Sequence, residues 1–207
     1  MGEARFLNGE TLQVDGVRVR ARAFVVATGS HPVVPRALEG LGKRLLTTDS
    51  LFELDSLPRS LGVIGMGAIG LEMGLALSRL GVRIVGGDLQ NTLAGIADPL
   101  ILERALGLFS SELVLWLGQP VDAQLASSGA AVRLKSDGRA DTVEMVLAAL
   151  GRQPNIQALD LASAGVVLDA KGYPTLDPTT LRANGTAAVY LAGDVSPDRP
   201  FGRCQLP

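Results

Sequence analysis

The central part of the chain alternates short apolar runs with longer segments in which apolar residues recur at helical spacing. The apolar runs are typical of buried strands and occupy residues 61–64, 82–85 and 113–117. The helical period covers residues 69–80, and Asp98 followed by Pro99 indicates a second helix that runs to about Ser110. This order predicts an α/β fold with a right-handed parallel sheet of the Rossmann type.

After residue 120 the pattern changes to alternating apolar and polar positions. The alternating runs are separated by turn segments and occupy residues 121–125, 131–134 and 142–150. Asp137-Gly138 stands between two of these runs, and Asp-Gly is a strong hairpin signal. We therefore expect an antiparallel β-meander followed by a last core strand at residues 145–150.

The segments on either side of this central part have weaker patterns. Residues 11–27 predict a hairpin strand and then a buried strand that ends at Thr28. The prolines within residues 32–35 predict an extended crossing, and residues 48–50 are expected to cap a short helix. Glycine and proline at residues 151–155 indicate a crossing between domains, and short strands follow up to Asp194.

Composition argues against several classes of function. The chain of 207 residues is 47% hydrophobic and 19% charged, which is typical of a packed protein. A formal net charge of −2 and scattered arginines give no reason to expect a nucleic-acid partner. The apolar runs are too short to cross a bilayer and the N-terminus has no signal-peptide layout, so we expect no membrane partner and a cytoplasmic location.

Cys204 is the only cysteine of the sequence and His31 the only histidine. One cysteine cannot form an intramolecular disulfide, and we interpret Cys204 as an unpaired thiol. His31 stands between turn residues and is interpreted as a solvated loop residue. Nucleophilic catalysis and metal binding therefore have few candidates, and we expect neither a catalytic residue nor a metal site.

The motif Gly65-Met66-Gly67-Ala68-Ile69-Gly70 stands between a predicted strand and a predicted helix. Gly65 permits a tight turn, Gly67 leaves room for a diphosphate, and Gly70 lets the helix approach the strand. The N–H groups at the helix start, around Ala68 and Ile69, then face the diphosphate, where the helix dipole favours negative charge. The motif predicts a dinucleotide site, and the alternative is a tight strand-to-helix turn without a ligand.

Asp88 is the candidate for selecting the nucleotide. It lies 18 residues after Gly70, close to the spacing of about 20 residues expected for the acid that binds the ribose hydroxyls. A carboxylate there repels a 2′-phosphate, so we expect NAD(H) rather than NADP(H). Gly86-Gly87 precedes Asp88 where branched apolar residues are usual, so the strand could bend there and re-aim Asp88.

Four motifs now stand in one order along the chain. They are Ala27-Thr28-Gly29-Ser30, the glycine motif with Leu71-Glu72, Leu150-Gly151-Arg152-Gln153-Pro154-Asn155, and Leu191-Ala192-Gly193-Asp194-Val195. Their order and spacing resemble the FAD-dependent pyridine nucleotide–disulfide oxidoreductases, most closely dihydrolipoamide dehydrogenase, as far as about Phe201. The resemblance implies a partial FAD-binding segment at residues 1–45, an NAD-binding domain at 46–153 and a returning partial FAD-binding segment at 154–207.

The resemblance also implies an FAD contact in the flanking segments. The turn at Ala27, Thr28 and Gly29 would contact FAD through its backbone. Asp194 would bind the ribityl chain of the flavin, whose hydroxyl groups donate to a carboxylate. The alternative for Asp194 is a turn residue after a strand.

In the central segment the resemblance implies further contacts with NAD. Glu72 would lie near the junction of the nicotinamide and the flavin, Val121 beside the adenine, and the loop with Gly151 and Arg152 over the NAD. The alternatives are a solvated helix face for Glu72 and a surface charge at a domain crossing for Arg152.

Several parts of the resembled family have no counterpart in this sequence. These are the first glycine-rich loop that holds the ADP part of FAD, the Cys-x-x-x-x-Cys redox pair, and the C-terminal dimerisation domain with its His–Glu pair. The tail at residues 201–207 leaves the family pattern, which we interpret as a truncation or a frame change.

We therefore expect the NAD(H)-binding portion of an FAD-dependent oxidoreductase that resembles dihydrolipoamide dehydrogenase, an enzyme that converts dihydrolipoamide and NAD⁺ to lipoamide and NADH. Without the redox cysteines and the His–Glu pair, the chain alone should be inactive. The alternatives are a fragment of an NADH oxidase or a ferredoxin-type reductase, and a non-enzymatic nucleotide-binding remnant. The family is homodimeric, and apolar surfaces where the other domains would pack predict self-association.

Overall fold

The structure is a computed structural model that describes residues 2–196. It divides the chain into two compact units, of which the first comprises residues up to His31 and from Gln153 onward, and the second comprises Pro32–Arg152. The sequence predicts domain boundaries after residues 45 and 153, and these stay predictions. Cys204 and the tail at residues 201–207 lie outside the described residues.

The strands have the following bounds: β1 Ala4–Asn8, β2 Thr11–Val14, β3 Val17–Arg20, β4 Phe24–Val26, β5 Ser30–Pro32, β6 Leu45–Leu46, β7 Ser60–Ile64, β8 Arg83–Asp88, β9 Val114–Leu117, β10 Asp122–Leu125, β11 Val132–Ser136, β12 Arg139–Val143, β13 Met145–Ala148, β14 Arg152–Pro154 and β15 Val189–Leu191. The α-helices are α1 Arg36–Glu39, α2 Thr48–Leu51, α3 Ala68–Arg79 and α4 Pro99–Phe109. Within residues 2–196, no helix combines the length and apolar character that a bilayer crossing requires.

The second unit is built on a five-stranded sheet in the order β6-β13-β7-β8-β9, in which every neighbouring pair is parallel. Helix α3 connects β7 to β8, and α4 connects β8 to β9. The predicted parallel sheet with crossover helices is therefore confirmed, as is the α/β fold class. Because the strands are parallel, the loops that follow β7, β8 and β13 leave the sheet at the same edge.

Both faces of this sheet are covered. On one face, Leu71 of α3 and the inner residues of α4 pack against Val63 and Ile84 of the strands. On the other face, the antiparallel meander β10-β11-β12 packs Leu134 against Val146. The meander and the last core strand predicted from the alternating pattern are both present.

Strand β8 runs through Gly86 and Gly87 to Asp88 and stays paired with β7 and β9. A Cβ atom at Gly86 would lie 2.5 Å from the Sδ atom of the buried Met66, and one at Gly87 would overlap a methyl group of Val121. The expectation that the strand bends at these glycines is therefore wrong. Neighbouring side chains occupy the space that larger residues would need.

Two helix starts test the capping predictions. Oδ1 of Asp98 accepts hydrogen bonds from the N–H groups of Leu100 at 2.9 Å and Ile101 at 3.1 Å, which confirms the predicted start of α4. Helix α2 is capped by Thr47, whose side chain exchanges hydrogen bonds with Ser50 in a capping box, so the cap predicted at residues 48–50 was placed one residue too late. The crossing predicted as extended, residues 32–35, ends where α1 begins, and Pro35 has an extended backbone conformation.

The first unit contains the antiparallel sheet β1-β2-β3 and a parallel pair formed by β4 and β15. Phe6 of β1 packs edge-on against Phe24 of β4, with ring centroids 5.0 Å apart. The sequence reasoning missed β1, which has Phe6 as its only buried residue. Strand β4 buries Val26 but leaves Val25 68% exposed, so it is less buried than predicted.

Arg83 of β8 forms a bidentate ion pair with Asp141 of β12, with Nη1–Oδ2 and Nη2–Oδ1 distances of 2.7 and 3.1 Å. The hydrogen bond from Arg83 is the main cause that lowers the pKa of the Asp141 carboxyl below its usual value. A group with a lowered pKa in the folded state stabilises that state above its unfolded pKa of about 4, and this stabilisation is lost as the pH falls further.

We expect Asp141→Asn to lower the free energy of unfolding at about pH 7 by about 0.2–1 kcal/mol, because both partners are partly exposed. Urea unfolding at about pH 7 and about pH 3 measures how the free energy of unfolding changes with pH. This change should be smaller for the variant than for the native chain. Asp55→Asn, at an exposed carboxylate without a hydrogen bond to residues 2–196, is the control. Equal pH dependence of native chain and Asp141→Asn would contradict the assignment.

Candidate functional site

The glycine motif forms the turn between β7 and α3. Gly65 has a φ of +96°, a backbone conformation that favours glycine. A Cβ atom at Gly70 would overlap the carbonyl oxygen of Gly65 and would lie 3.3 Å from the Cβ atom of Ala149. These two glycines therefore allow the first turn of α3 to pack directly against the turn that precedes it, as the sequence predicts for a dinucleotide motif.

The corner at Gly67 and Ala68 is open. Both residues are exposed, and a Cβ atom added at Gly67 would have no atom of the described residues within 4 Å. Gly67 is the N-cap of α3 and provides no side-chain cap, so the first N–H groups of the helix have no acceptor within the helix. An open helix start with uncapped N–H groups and no side chain in the way fits a diphosphate.

Hydrogen bonds to the end of β8 hold the glycine turn in place. The N–H of Gly65 donates to the carbonyl of Gly87 at 2.8 Å, and the N–H of Met66 donates to Oδ2 of Asp88 at 2.6 Å. The carbonyl of Met66 accepts from the N–H of Ala94 at 2.8 Å. With the side chain of Met66 fully buried, the turn is ordered before any ligand arrives.

Asp88 therefore has a role that the sequence did not reveal. Its half-buried carboxylate accepts from the N–H of Met66 through one oxygen and from the N–H of Gln90, at 2.8 Å, through the other. Each carboxylate oxygen has a second lone pair, which can accept a hydrogen bond from a ligand hydroxyl. Asp88 is thus both an anchor of the glycine turn and an available acceptor at the edge where parallel strands end.

Three other predicted residues lie near this turn or on α3. Val121 is half-buried with a methyl group over Gly87, one residue before Asp88. Gly151 is exposed and follows the Ala149-Leu150 segment that packs against Gly65. Glu72 lies on the exposed side of α3, and its side chain has no hydrogen bond to any other described residue.

The side chain of Arg152 binds residues of helix α2. Its Nη1 atom donates to Oγ1 of Thr48 at 2.8 Å and to Oδ1 of Asp49 at 2.9 Å, both in α2. The side chain of Arg152 is only 19% exposed. The structure therefore gives Arg152 protein partners within the second unit, and a cofactor role for it stays a prediction.

The first unit brings together the other group of predicted residues. β4 and β15 are adjacent and parallel, so the turn at Ala27, Thr28 and Gly29 and the segment with Asp194 follow the same edge of this strand pair. Asp194 is half-buried within a 3₁₀ turn at Gly193–Val195, and its side chain has no hydrogen-bond partner in the described part of the chain.

Asn155 fixes the conformation of the Thr28 turn, and sequence reasoning missed this. The N–H of Asn155 donates to the carbonyl of Gly29 at 3.0 Å, and its carbonyl accepts from Oγ1 of Thr28 at 2.6 Å. Its side-chain Nδ2 donates to the carbonyl of Thr28 at 2.9 Å, while Oδ1 lies 2.6 Å from Nδ1 of His31. His31 is exposed, as predicted, but it lies in strand β5 rather than in a loop, and it has this polar partner.

Comparisons with known proteins extend over nearly the whole chain. Mercuric reductase from Staphylococcus aureus is 32% identical over 200 residues, which cover 94% of this chain and 36% of the relative. Soluble pyridine nucleotide transhydrogenase from Mycobacterium bovis (strain BCG / Pasteur 1173P2) is 28% identical over 203 residues, which cover 94% of this chain and 43% of the relative. The chain thus spans well under half the length of these relatives.

Solved structures give the same picture of the fold. LpdA from Mycobacterium tuberculosis superposes with a TM-score of 0.81 and 26% identity over 97% of this chain and 45% of that chain. The HOCl-induced flavoprotein disulfide reductase RclA from Escherichia coli superposes with a TM-score of 0.84 and 23% identity over 97% of this chain and 46% of that chain. These matches confirm the predicted fold.

The sequence profile of the pyridine nucleotide-disulphide oxidoreductase family matches residues 1–205. This range includes all four motifs on which the sequence resemblance rests. The chain therefore belongs to the pyridine nucleotide-disulphide oxidoreductase family.

Proposed function

We propose that the second unit binds NAD(H) as the nucleotide-binding portion of an FAD-dependent oxidoreductase. The observation that carries this proposal is the open corner at Gly67 and Ala68, where α3 begins without a side-chain cap. The diphosphate would bind the N–H groups there, with Ile69 and Gly70 in the same helical turn. When bound, NAD(H) supplies hydride transfer, and this chain supplies binding and orientation.

Asp88 supports NAD(H) over NADP(H). Its carboxylate can accept hydrogen bonds from the ribose hydroxyls while it holds the glycine turn, and its negative charge repels a 2′-phosphate. Residues 86–98, which end β8 and lead to α4, contain no lysine or arginine that could bind such a phosphate. Val121, next to Gly87, would flank the adenine, and the turn at Gly151 would close over the nucleotide.

The first unit would supply part of an FAD site. The backbone of Ala27, Thr28 and Gly29 would contact the cofactor, and Asp194 would accept hydrogen bonds from the ribityl hydroxyls. This assignment is supported by the adjacency of β4 and β15 and by the carboxylate of Asp194, which has no hydrogen-bond partner within residues 2–196. Glu72 and Arg152 are assigned to the nicotinamide side because of the family register, although Arg152 also pairs with Asp49.

For a full-length protein of this kind we propose the dihydrolipoamide dehydrogenase reaction, from dihydrolipoamide and NAD⁺ to lipoamide and NADH. The second candidate is a reaction with another electron acceptor, because two of the relatives are named mercuric reductase and soluble pyridine nucleotide transhydrogenase. The 207 residues contain one cysteine, so they cannot form an intramolecular redox disulfide, and we expect no lipoamide turnover by this chain alone. An absorption spectrum without flavin bands would favour a nucleotide-binding protein without FAD.

The test of the nucleotide assignment is the ratio of NADH to NADPH affinity in Asp88→Asn. The amide removes the charge that repels a 2′-phosphate, so the preference for NADH should fall by at least about tenfold, or about 1.4 kcal/mol. The amide also disturbs the turn at Met66, which weakens the binding of NADH and NADPH equally. The ratio of the two affinities is therefore measured, because it cancels this shared effect. Titration followed by NAD(P)H fluorescence provides both affinities.

Asp137→Asn, an exposed acid in the meander turn, is the matched control and should leave the ratio unchanged. An unchanged ratio in Asp88→Asn would reject Asp88 as the selector. Failure of the native chain to bind either nucleotide would reject the proposed function itself.

A further inference from the structure

Helix α4 has apolar residues on two sides. Leu102, Leu106 and Phe109 pack against the sheet, as expected for a crossover helix. On the opposite side Leu100 is 73% exposed, and Ile101 and Leu108 are 58% and 68% exposed. A helix that is apolar on both sides is usually covered on both, so this outer side has the character of an interface.

We define the α4 face as Leu100, Ile101, Glu103, Arg104, Gly107 and Leu108. These residues form two neighbouring rows on the helix surface, since positions three and four apart are adjacent. Glu103 and Arg104 lie in the middle of the face and are exposed, and their side chains have no ion pair or hydrogen bond with residues 2–196. Gly107 has open space beside its Cα atom.

The sequence order within this face is self-complementary. A copy of α4 placed antiparallel about a two-fold axis between Glu103 and Arg104 would set Glu103 against Arg104 of that copy, and the reverse contact would form at the same time. The same axis would place Leu100 of one helix over Gly107 of the other, where the missing side chain leaves room. Leu108 would then lie among the apolar residues at the opposite end of the partner face.

We propose that the α4 face binds the α4 face of a second copy of this chain as an antiparallel helix pair. The opposite charges at its centre and the apolar residues at both ends match an isologous contact, which a partner of a single charge would not satisfy. One helix face is smaller than a standard interface of about 800 Å² per partner, so the dimer should dissociate on dilution.

A charge-reversal cycle tests this pairing in the full chain. Glu103→Arg and Arg104→Glu would each create two like-charge contacts across the axis, and each should raise the dimer dissociation constant at least about tenfold. The double variant restores opposite charges and should recover most of the lost affinity. Sedimentation equilibrium over a range of concentrations measures the constants, and circular dichroism verifies that each variant is folded.

Leu108→Glu should abolish the dimer, whereas Leu80→Glu, at a residue that is also 68% exposed but lies at the end of α3, should leave it unchanged. A native chain that stays monomeric would overturn the proposal. The proposal would also be overturned if the α4 variants left the dimer dissociation constant unchanged, or if the double variant dimerised no more tightly than the single variants.

Discussion

Replacing Gly67 with aspartate should abolish NADH binding while the protein stays fully folded. Gly67 has a φ of −63° and a ψ of −173°, which any residue can adopt, and a Cβ atom added there would have no atom of residues 2–196 within 4 Å. Aspartate is a better N-cap than glycine, so the free energy of unfolding should stay equal or rise by a few tenths of a kcal/mol. The new carboxylate would take the N–H groups that the diphosphate needs and would repel its charge.

The expected loss of affinity is large. Two charge-assisted hydrogen bonds contribute about 1.5–3 kcal/mol each, so NADH should bind at least about a hundredfold more weakly. Calorimetric titration of NADH and urea unfolding of the same preparations separate the effect on binding from the effect on folding.

Gly40→Asp is the matched control, because Gly40 is also exposed, has a negative φ of −62° and has no neighbour in the described part of the chain within 4 Å of an added Cβ atom. It should bind NADH like the native chain. If Gly67→Asp binds NADH normally, the diphosphate does not lie at the start of α3, and the proposed function fails.

The parts of the fold that follow from local patterns could be predicted. Strand β7, the glycine turn and α3 form one continuous segment, so the period of apolar residues and the spacing of the glycines place them without knowledge of the rest. The start of α4 at Asp98 has a similarly local cause, because the cap and the N–H groups that it accepts lie within three residues. The last core strand was predictable from its apolar run, which needs little tertiary context.

Contacts between distant residues could not be predicted in this way. Asn155 holds the Thr28 turn across 127 positions of sequence, and Arg152 reaches Thr48 across 104. Gly86 looked like a defect in β8 because the side chain that fills its place, that of Met66, comes from another segment. Such pairs have no periodic signal, since each depends on where the chain folds back.

The candidate site combines features that the local sequence predicts with contacts between distant residues that it does not predict. The missing side chain at Gly67 was visible in the motif, and the structure adds that the corner is open. The position of Asp88 was also visible, but its hydrogen bond to the N–H of Met66 was not. Substitutions of Asp88 therefore affect the shape of the turn as well as its charge, and ratios between nucleotides are more informative than single affinities.

Gly70→Ala should destabilise the protein severely, whereas Gly74→Ala, one turn later in α3, should stabilise it. The Cβ atom at position 70 would overlap the carbonyl oxygen of Gly65, whose backbone is itself closely packed, since a Cβ atom added at Gly65 would overlap the carbonyl oxygen of Ala149. Forcing an atom into packed backbone costs about 3 kcal/mol or more. At Gly74 the added Cβ atom would lie 3.7 Å from Ile84, an ordinary contact, and alanine in a helix gains about 0.5–1 kcal/mol over glycine.

The two variants should therefore differ by roughly 4 kcal/mol in the free energy of unfolding, although both add one methyl group to a buried glycine of the same helix. Urea unfolding followed by circular dichroism measures this difference. If Gly70→Ala does not fold, the double variant with Gly74→Ala should have the same defect, because a gain of less than 1 kcal/mol cannot offset the overlap. Equal stability of the two single variants would mean that α3 does not pack against the glycine turn, and the open corner at Gly67 would lose its structural basis.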